Sequence, residues 1–205
     1  IVEDIPMVDQ GPKGYCVPAT WERYLRYMDV DTDLYVLAMA GDTGIGGGTS
    51  FTRMVAGVSQ FAARSGLAVQ GCAPRVTAGT IALHIDQGVP LMWSMNVVMD
   101  LNQNITARST LREAVDDWAA WPRQLQESDA ALHRNAKGEG HMCMIIGYNP
   151  KTKEIAISDS WGPEFRERWI TEKEAALITQ NELYVIRGEG PVRRATTPDK
   201  IPTPR

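Results

Sequence analysis

The spacing of apolar positions divides the chain into a helical first half and a strand-rich second half. Trp21, Tyr24, Leu25 and Met28 fall at i, i+3, i+4 and i+7, one face of a helix. Pro18 fits the first turn of that helix, where a missing N–H does no harm. Cys16 therefore lies at the helix's N-terminal end. Residues 1–10 read as extended chain entering the turn Gly11-Pro12-Lys13-Gly14. A second helix is expected from near Asp33. A third, capped by Thr49 or Ser50, carries Phe51, Met54, Val55, Val58, Phe61 and Ala62 on one long apolar face. A fourth runs from about Thr77 to Gln87 and stops at Gly88.

The second half changes period. Residues 89–98 form a compact apolar run that suits a buried strand. Residues 105–134 are polar and helix-prone, and Leu111, Val115 and Trp118 mark the expected apolar face of a helical insertion. Strands are expected over 142–148, 155–159, 165–170 and 183–187, with a turn at 149–153. Thr171 and Glu174 read as a capping box that opens a short helix. Residues 188–205 lack apolar periodicity and are rich in Pro, Thr and Arg, a surface tail. Residues 1–187 are then one domain of α+β class, with helices early and strands late.

Composition narrows the function classes. The chain has 205 residues, 43% apolar and 22% charged, enough to bury a core without disulfide or metal staples. Net charge is −4 and Lys and Arg are scattered, so no basic stripe points to nucleic acid. No apolar run approaches the ~18 residues of a membrane span. The glycine run at 44–48 lacks the Gly-Lys-Ser/Thr of a phosphate loop. Three cysteines, Cys16, Cys72 and Cys143, form no CxxC pair and no zinc-type cluster, so neither metal nor cofactor is expected. If Cys16 is free, Cys72 and Cys143 could form a disulfide or remain as two small apolar thiols.

Four residues carry candidate chemistry. Cys16 sits at a helix start, where the helix field favours a thiolate. His141, in Gly140-His141, opens an apolar strand and could hold and return a proton. Asp159, in Ser158-Asp159-Ser160-Trp161-Gly162, ends the following strand and could orient His141. Gln10, six residues before Cys16, could donate to a developing oxyanion. Cys143 alternates with His141 and should face the same side. His84, on a helix with Ile81 and Ile85, reads as structural, and His133 as solvated. Trp93 reads as core. Asn104-Ile105-Thr106 matches a glycosylation sequon, a pattern short enough to arise by chance.

Gln10-Gly11-Pro12-Lys13-Gly14-Tyr15-Cys16, followed by Pro18-Ala19, resembles the nucleophile segment of papain-like cysteine peptidases. Gly140-His141 with Ile145-Ile146-Gly147-Tyr148-Asn149 resembles that family's histidine strand, and Asp159-Ser160-Trp161-Gly162 its Asn-Ser-Trp-Gly motif. The separations of His141 and Asp159 from Cys16 fall close to the ~130–150 residues of papain-type enzymes. Residues 49–67 and 81–94 look like the middle of the bacterial branch that includes double-glycine leader peptidases, and that branch carries aspartate in the third position. The resemblance implies a papain-like fold, with a helical part bearing the nucleophile packed on an antiparallel sheet and a cleft between them. It implies Cys16 as nucleophile, His141 as base and acid, Asp159 as its orienting partner, Gln10 with the Cys16 N–H as oxyanion donors, and Trp161 as a cover over the His141–Asp159 contact.

Two departures stand out: Lys13 replaces papain's disulfide cysteine, and the stretch 105–134 has no papain counterpart. The expected activity is hydrolysis of a peptide or protein substrate. Acyl transfer of transglutaminase type and a non-catalytic binding module are the alternatives. The chain opens on Ile1 rather than Met, and with the branch likeness an exported location after removal of an upstream segment is the expectation.

Overall fold

The computed structural model describes residues 1–44, 46, 48–72, 75–130 and 138–188. Among them are seven α-helices and one six-stranded antiparallel sheet, most of which share one apolar core. Helix α1 (Cys16–Tyr27) runs through its middle. The expected face is buried at Trp21, Tyr24 and Leu25, whereas Met28 is the C-cap and only half-buried. Several polar groups of α1 are buried as well and tied elsewhere in the chain. The Thr20 hydroxyl donates to the Met142 carbonyl at 3.0 Å, Tyr24 to that of Pro90 at 2.7 Å and Tyr27 to that of Gly88 at 2.7 Å. Arg23 donates to the carbonyls of Pro6 (2.9 Å) and Ser158 (3.2 Å) and to the Ser158 hydroxyl (2.5 Å). A helix enclosed in this way has its N-terminus fixed relative to the sheet.

Helices α2 (Leu34–Ala40), capped by the Asp33 side chain, and α3 (Phe51–Arg64) follow. Strand β1 (Leu67–Gly71) comes next and was not legible in the sequence. It is a half-exposed edge strand of mostly small and polar residues, so its apolar alternation is weak. Helix α4 (Ala78–Ile85) has a complete capping box between Thr77 and Thr80. Strand β2 (Leu91–Val97) is the expected apolar run.

The segment expected as a helical insertion forms α5 (Met99–Glu113) and α6 (Trp121–Ala130). The expected face needs correction. Helix α5 buries Leu101, Ile105, Arg108 and Ser109, while Leu111 is 59% exposed. Val115 and Trp118 lie beyond the helix end. Polar residues on the buried face are paired with the sheet, so hydrophobicity alone points to the wrong side.

Strands β3 (Glu139–Asn149) and β4 (Glu154–Ser158) form the expected hairpin. The strand expected over 165–170 is shorter and later. Pro163–Phe165 is a turn of 3-10 helix, and β5 is Arg168–Thr171. The Thr171–Glu174 capping box opens α7 (Glu172–Ile178), and β6 (Thr179–Gly188) closes the chain path. Gly188, expected in the tail, ends this strand; residues 189–205 and His133 lie outside the described residues. The sheet order is β1-β6-β2-β3-β4-β5, which puts β3, bearing His141, near its centre. No helix among the described residues is long and apolar enough to cross a membrane.

Candidate active site

The N-terminal segment reaches the site because two backbone bonds pin it. The Val2 N–H donates to the Ile146 carbonyl at 2.6 Å and the Gln10 N–H to the Ser160 carbonyl at 2.8 Å. After the tight turn 11–14, where Gly11 and Gly14 take positive φ, Cys16 is the first residue of α1. Its thiol therefore sits where unpaired helix N–H groups point.

His141 and Asp159 meet at the end of the β3–β4 hairpin. His141 Nε2 lies 2.8 Å from Asp159 Oδ1, with Asp159 fully buried and His141 6% exposed. The Cys16 thiol lines the same cleft as the imidazole, and the two groups shift each other's pKa. Trp161 stacks on the His141 ring, centroids 4.4 Å apart and planes 26° from parallel. It covers the His141–Asp159 contact from water, the place the motif implied for it. The Ser160 hydroxyl donates to Gln10 Oε1 at 2.8 Å. That bond fixes the amide's oxygen and leaves its Nε2 end as the donor for a ligand. Gln10, Cys16, His141 and Trp161 all line one cleft of about 480 Å³, together with Phe51 and Glu182.

The electrostatics follow from burial and neighbours. Burial pushes the Cys16 thiol up, but the hydrogen bond and charge of His141, with the Met142 and Val17 backbone, outweigh it, and the net direction is down. Burial pushes His141 down, yet its bonds to Asp159 and Cys16 raise it to about 9. Burial raises Asp159, but the Arg168 guanidinium and His141 more than offset this and hold it below its ordinary value. Relative to the free groups, these shifts all favour the charged forms of Cys16, His141 and Asp159.

All four candidate residues thus come together. The sequence reading missed Arg168, whose Nη2 and Nε donate to Asp159 Oδ2 at 2.6 and 3.2 Å. It is the last of three consecutive charges, Arg166-Glu167-Arg168, and nothing in the sequence separates it from the other two. Ser160 was also missed, because a serine next to a motif residue carries no periodic mark. Cys143 is buried and directs its thiol to the Met95 sulfur at 3.8 Å; burial pushes its pKa well up. All three cysteines are free, so the Cys72–Cys143 disulfide is not formed. His84 faces an Arg187 guanidinium at 2.9 Å, away from the cleft. The Thr106 hydroxyl of the sequon donates to the Asn102 carbonyl within α5. Trp93 is core, its Nε1 donating to the Thr179 hydroxyl at 3.0 Å. Among the described residues no cluster of three His, Cys, Asp or Glu side chains could hold a metal.

The profile of the Peptidase_C39 like family matches residues 2–184. The chain belongs to this family. Among solved structures it is similar to the peptidase domain of Streptococcus ComA, a bi-functional ABC transporter involved in a quorum sensing pathway. That match has a TM-score of 0.54 at 11% identity and covers 91% of this chain and 100% of the other. No curated protein matches the chain. The family match supports a cysteine peptidase at family level, and the structural match shows the shared papain-like fold.

Proposed function

We propose that the protein hydrolyses peptide bonds with Cys16 as nucleophile. The observation that carries this is the buried His141 ring, 2.8 Å from Asp159 and lining one cleft with Cys16 at the start of α1. The Cys16 thiolate attacks the scissile carbonyl carbon. The Cys16 N–H and Gln10 Nε2 receive the oxyanion. The C–N bond then breaks as the His141 proton passes to the leaving nitrogen, which departs as an amine, and a thioester remains on Cys16. His141, now neutral, takes a proton from water. The hydroxide adds to the thioester, the thiolate leaves, and the carboxylic acid is released. Asp159 stabilises the imidazolium and fixes its orientation throughout.

Cleavage of a peptide library by wild type and by Cys16→Ala tests the reading. Wild type should cut a subset of peptides and Cys16→Ala should lose at least about 10⁴-fold in kcat/KM. Full activity in Cys16→Ala would remove Cys16 from the chemistry. Products formed only when an amine is supplied would make the enzyme a transferase with the same thioester.

A further inference from the structure

We propose that Arg168 is a positioning residue for the triad: its guanidinium, held in place by helix α5, keeps Asp159 ionised and turned toward His141. This rests on the proposed thiol chemistry of Cys16. Arg168 is 1% exposed and lies on β5, the edge strand that α5 covers. Two arms of its fork, Nη2 and Nε, converge on Asp159 Oδ2, which leaves Oδ1 for His141. The third arm, Nη1, donates to Asn102 Oδ1 at 2.7 Å and to Thr106 Oγ1 at 3.0 Å, both on α5. Trp161 and Phe165 wall the group, with Cζ 5.1 and 5.3 Å from their ring centroids. The segment with no papain counterpart thus reaches the catalytic carboxylate through one side chain. It acts from behind the triad rather than as a cover over the cleft.

The charge pattern gives the arrangement a purpose. Cys16, His141, Asp159 and Arg168 form a row of alternating sign, negative to positive, that is neutral in total. When His141 gives its proton to the leaving amine, Asp159 loses its cationic neighbour while fully buried. A buried carboxylate next to a neutral ring tends to take up a proton. Arg168 opposes that, because its charge cannot be lost in the cycle. Other groups facing Asp159 are fewer. From α1 it is Arg23, committed to Pro6 and Ser158. From β3 they are His141 and the neutral thiol of Cys143.

The test is the pH profile of Cys16 alkylation by iodoacetamide in Arg168→Met, Arg168→Lys and the double variant Asn102→Ala/Thr106→Val, each checked for cooperative unfolding. In Arg168→Met, Asp159 takes up a proton at higher pH than in wild type, and the imidazolium loses its counter-ion. The acid limb should move up by about one pH unit, about tenfold slower alkylation on that limb. Arg168→Lys, which keeps charge without the fork, should fall between the two. The double variant should shift the same way by about twofold to threefold, and it decides the matter if Arg168→Met does not fold. An acid limb that superimposes on wild type in the folded variant overturns the role of Arg168 and leaves the triad standing. A wild-type Cys16 no more reactive at pH 6 than a free thiol overturns the triad and this role together.

Discussion

Helices α1 and α5 both lie against the sheet, but they are held by different physics. Helix α1 buries Trp21, Tyr24 and Leu25 in the common core, and its polar groups bond mostly to backbone carbonyls. Helix α5 docks through charge. Arg108 makes a two-pronged pair with Glu174 of α7 at 2.7 and 2.5 Å, both side chains nearly dry. Arg112 lies 3.6 Å over the Trp169 ring and donates to buried Glu154 at 3.3 Å. The Ser109 hydroxyl accepts the Trp169 N–H at 2.8 Å, and Asn102 and Thr106 accept from Arg168. Apolar burial is non-directional and tolerates small shifts. A paired charge fixes direction as well as distance. Cys16 is thus carried by a mostly apolar seam, and Arg168, which pairs with Asp159, is held by a polar one.

That contrast can be broken at its strongest points first. Trp21→Ala and Arg108→Met should each cost about 3–5 kcal/mol in denaturant unfolding, the first by a cavity, the second by leaving Glu174 charged and unpaired. A second change separates them. Arg108→Met/Glu174→Leu should recover most of the loss, because apolar residues replace a buried pair at little cost. An unrecovered double variant would mean that α5 needs the charges themselves. Tyr24→Phe removes one buried hydroxyl bond and should cost about 1 kcal/mol. Leu111→Gln, on the face that hydrophobicity favoured but the fold exposes, should stay within about 0.5 kcal/mol; a larger loss would restore the sequence-based face.

The same contrast explains what was legible in the chain. The period of α1, the Thr171–Glu174 capping box, the β3–β4 hairpin and the apolar run of β2 all follow local rules, and each was readable. Gln10, Cys16, His141 and Asp159 were readable as residue types in a fixed order. Where the fold relies on partners far apart in sequence, reading failed. Arg108 and Glu174 look like ordinary surface charges until the sheet brings them together. Arg168 is one of three consecutive charges in the sequence, and its meaning lies in Asp159, Asn102 and Thr106 of other segments. Strand β1 was missed because edge strands of small and polar residues carry little alternation.

The thiolate–imidazolium pair is the central claim, and one pH series tests it on the intact protein. Iodoacetamide alkylation of Cys16 and peptide hydrolysis are measured side by side from pH 4 to 11. Both should already be high at pH 6, where an ordinary thiol is protonated, because the Cys16 pKa is lowered by its bond to His141. Above about pH 9 the two should part. His141, raised to about 9, then loses the proton that the leaving amine needs, so hydrolysis falls while alkylation continues. A single rise in alkylation near the ordinary cysteine value, with no separate fall in hydrolysis, would contradict the account.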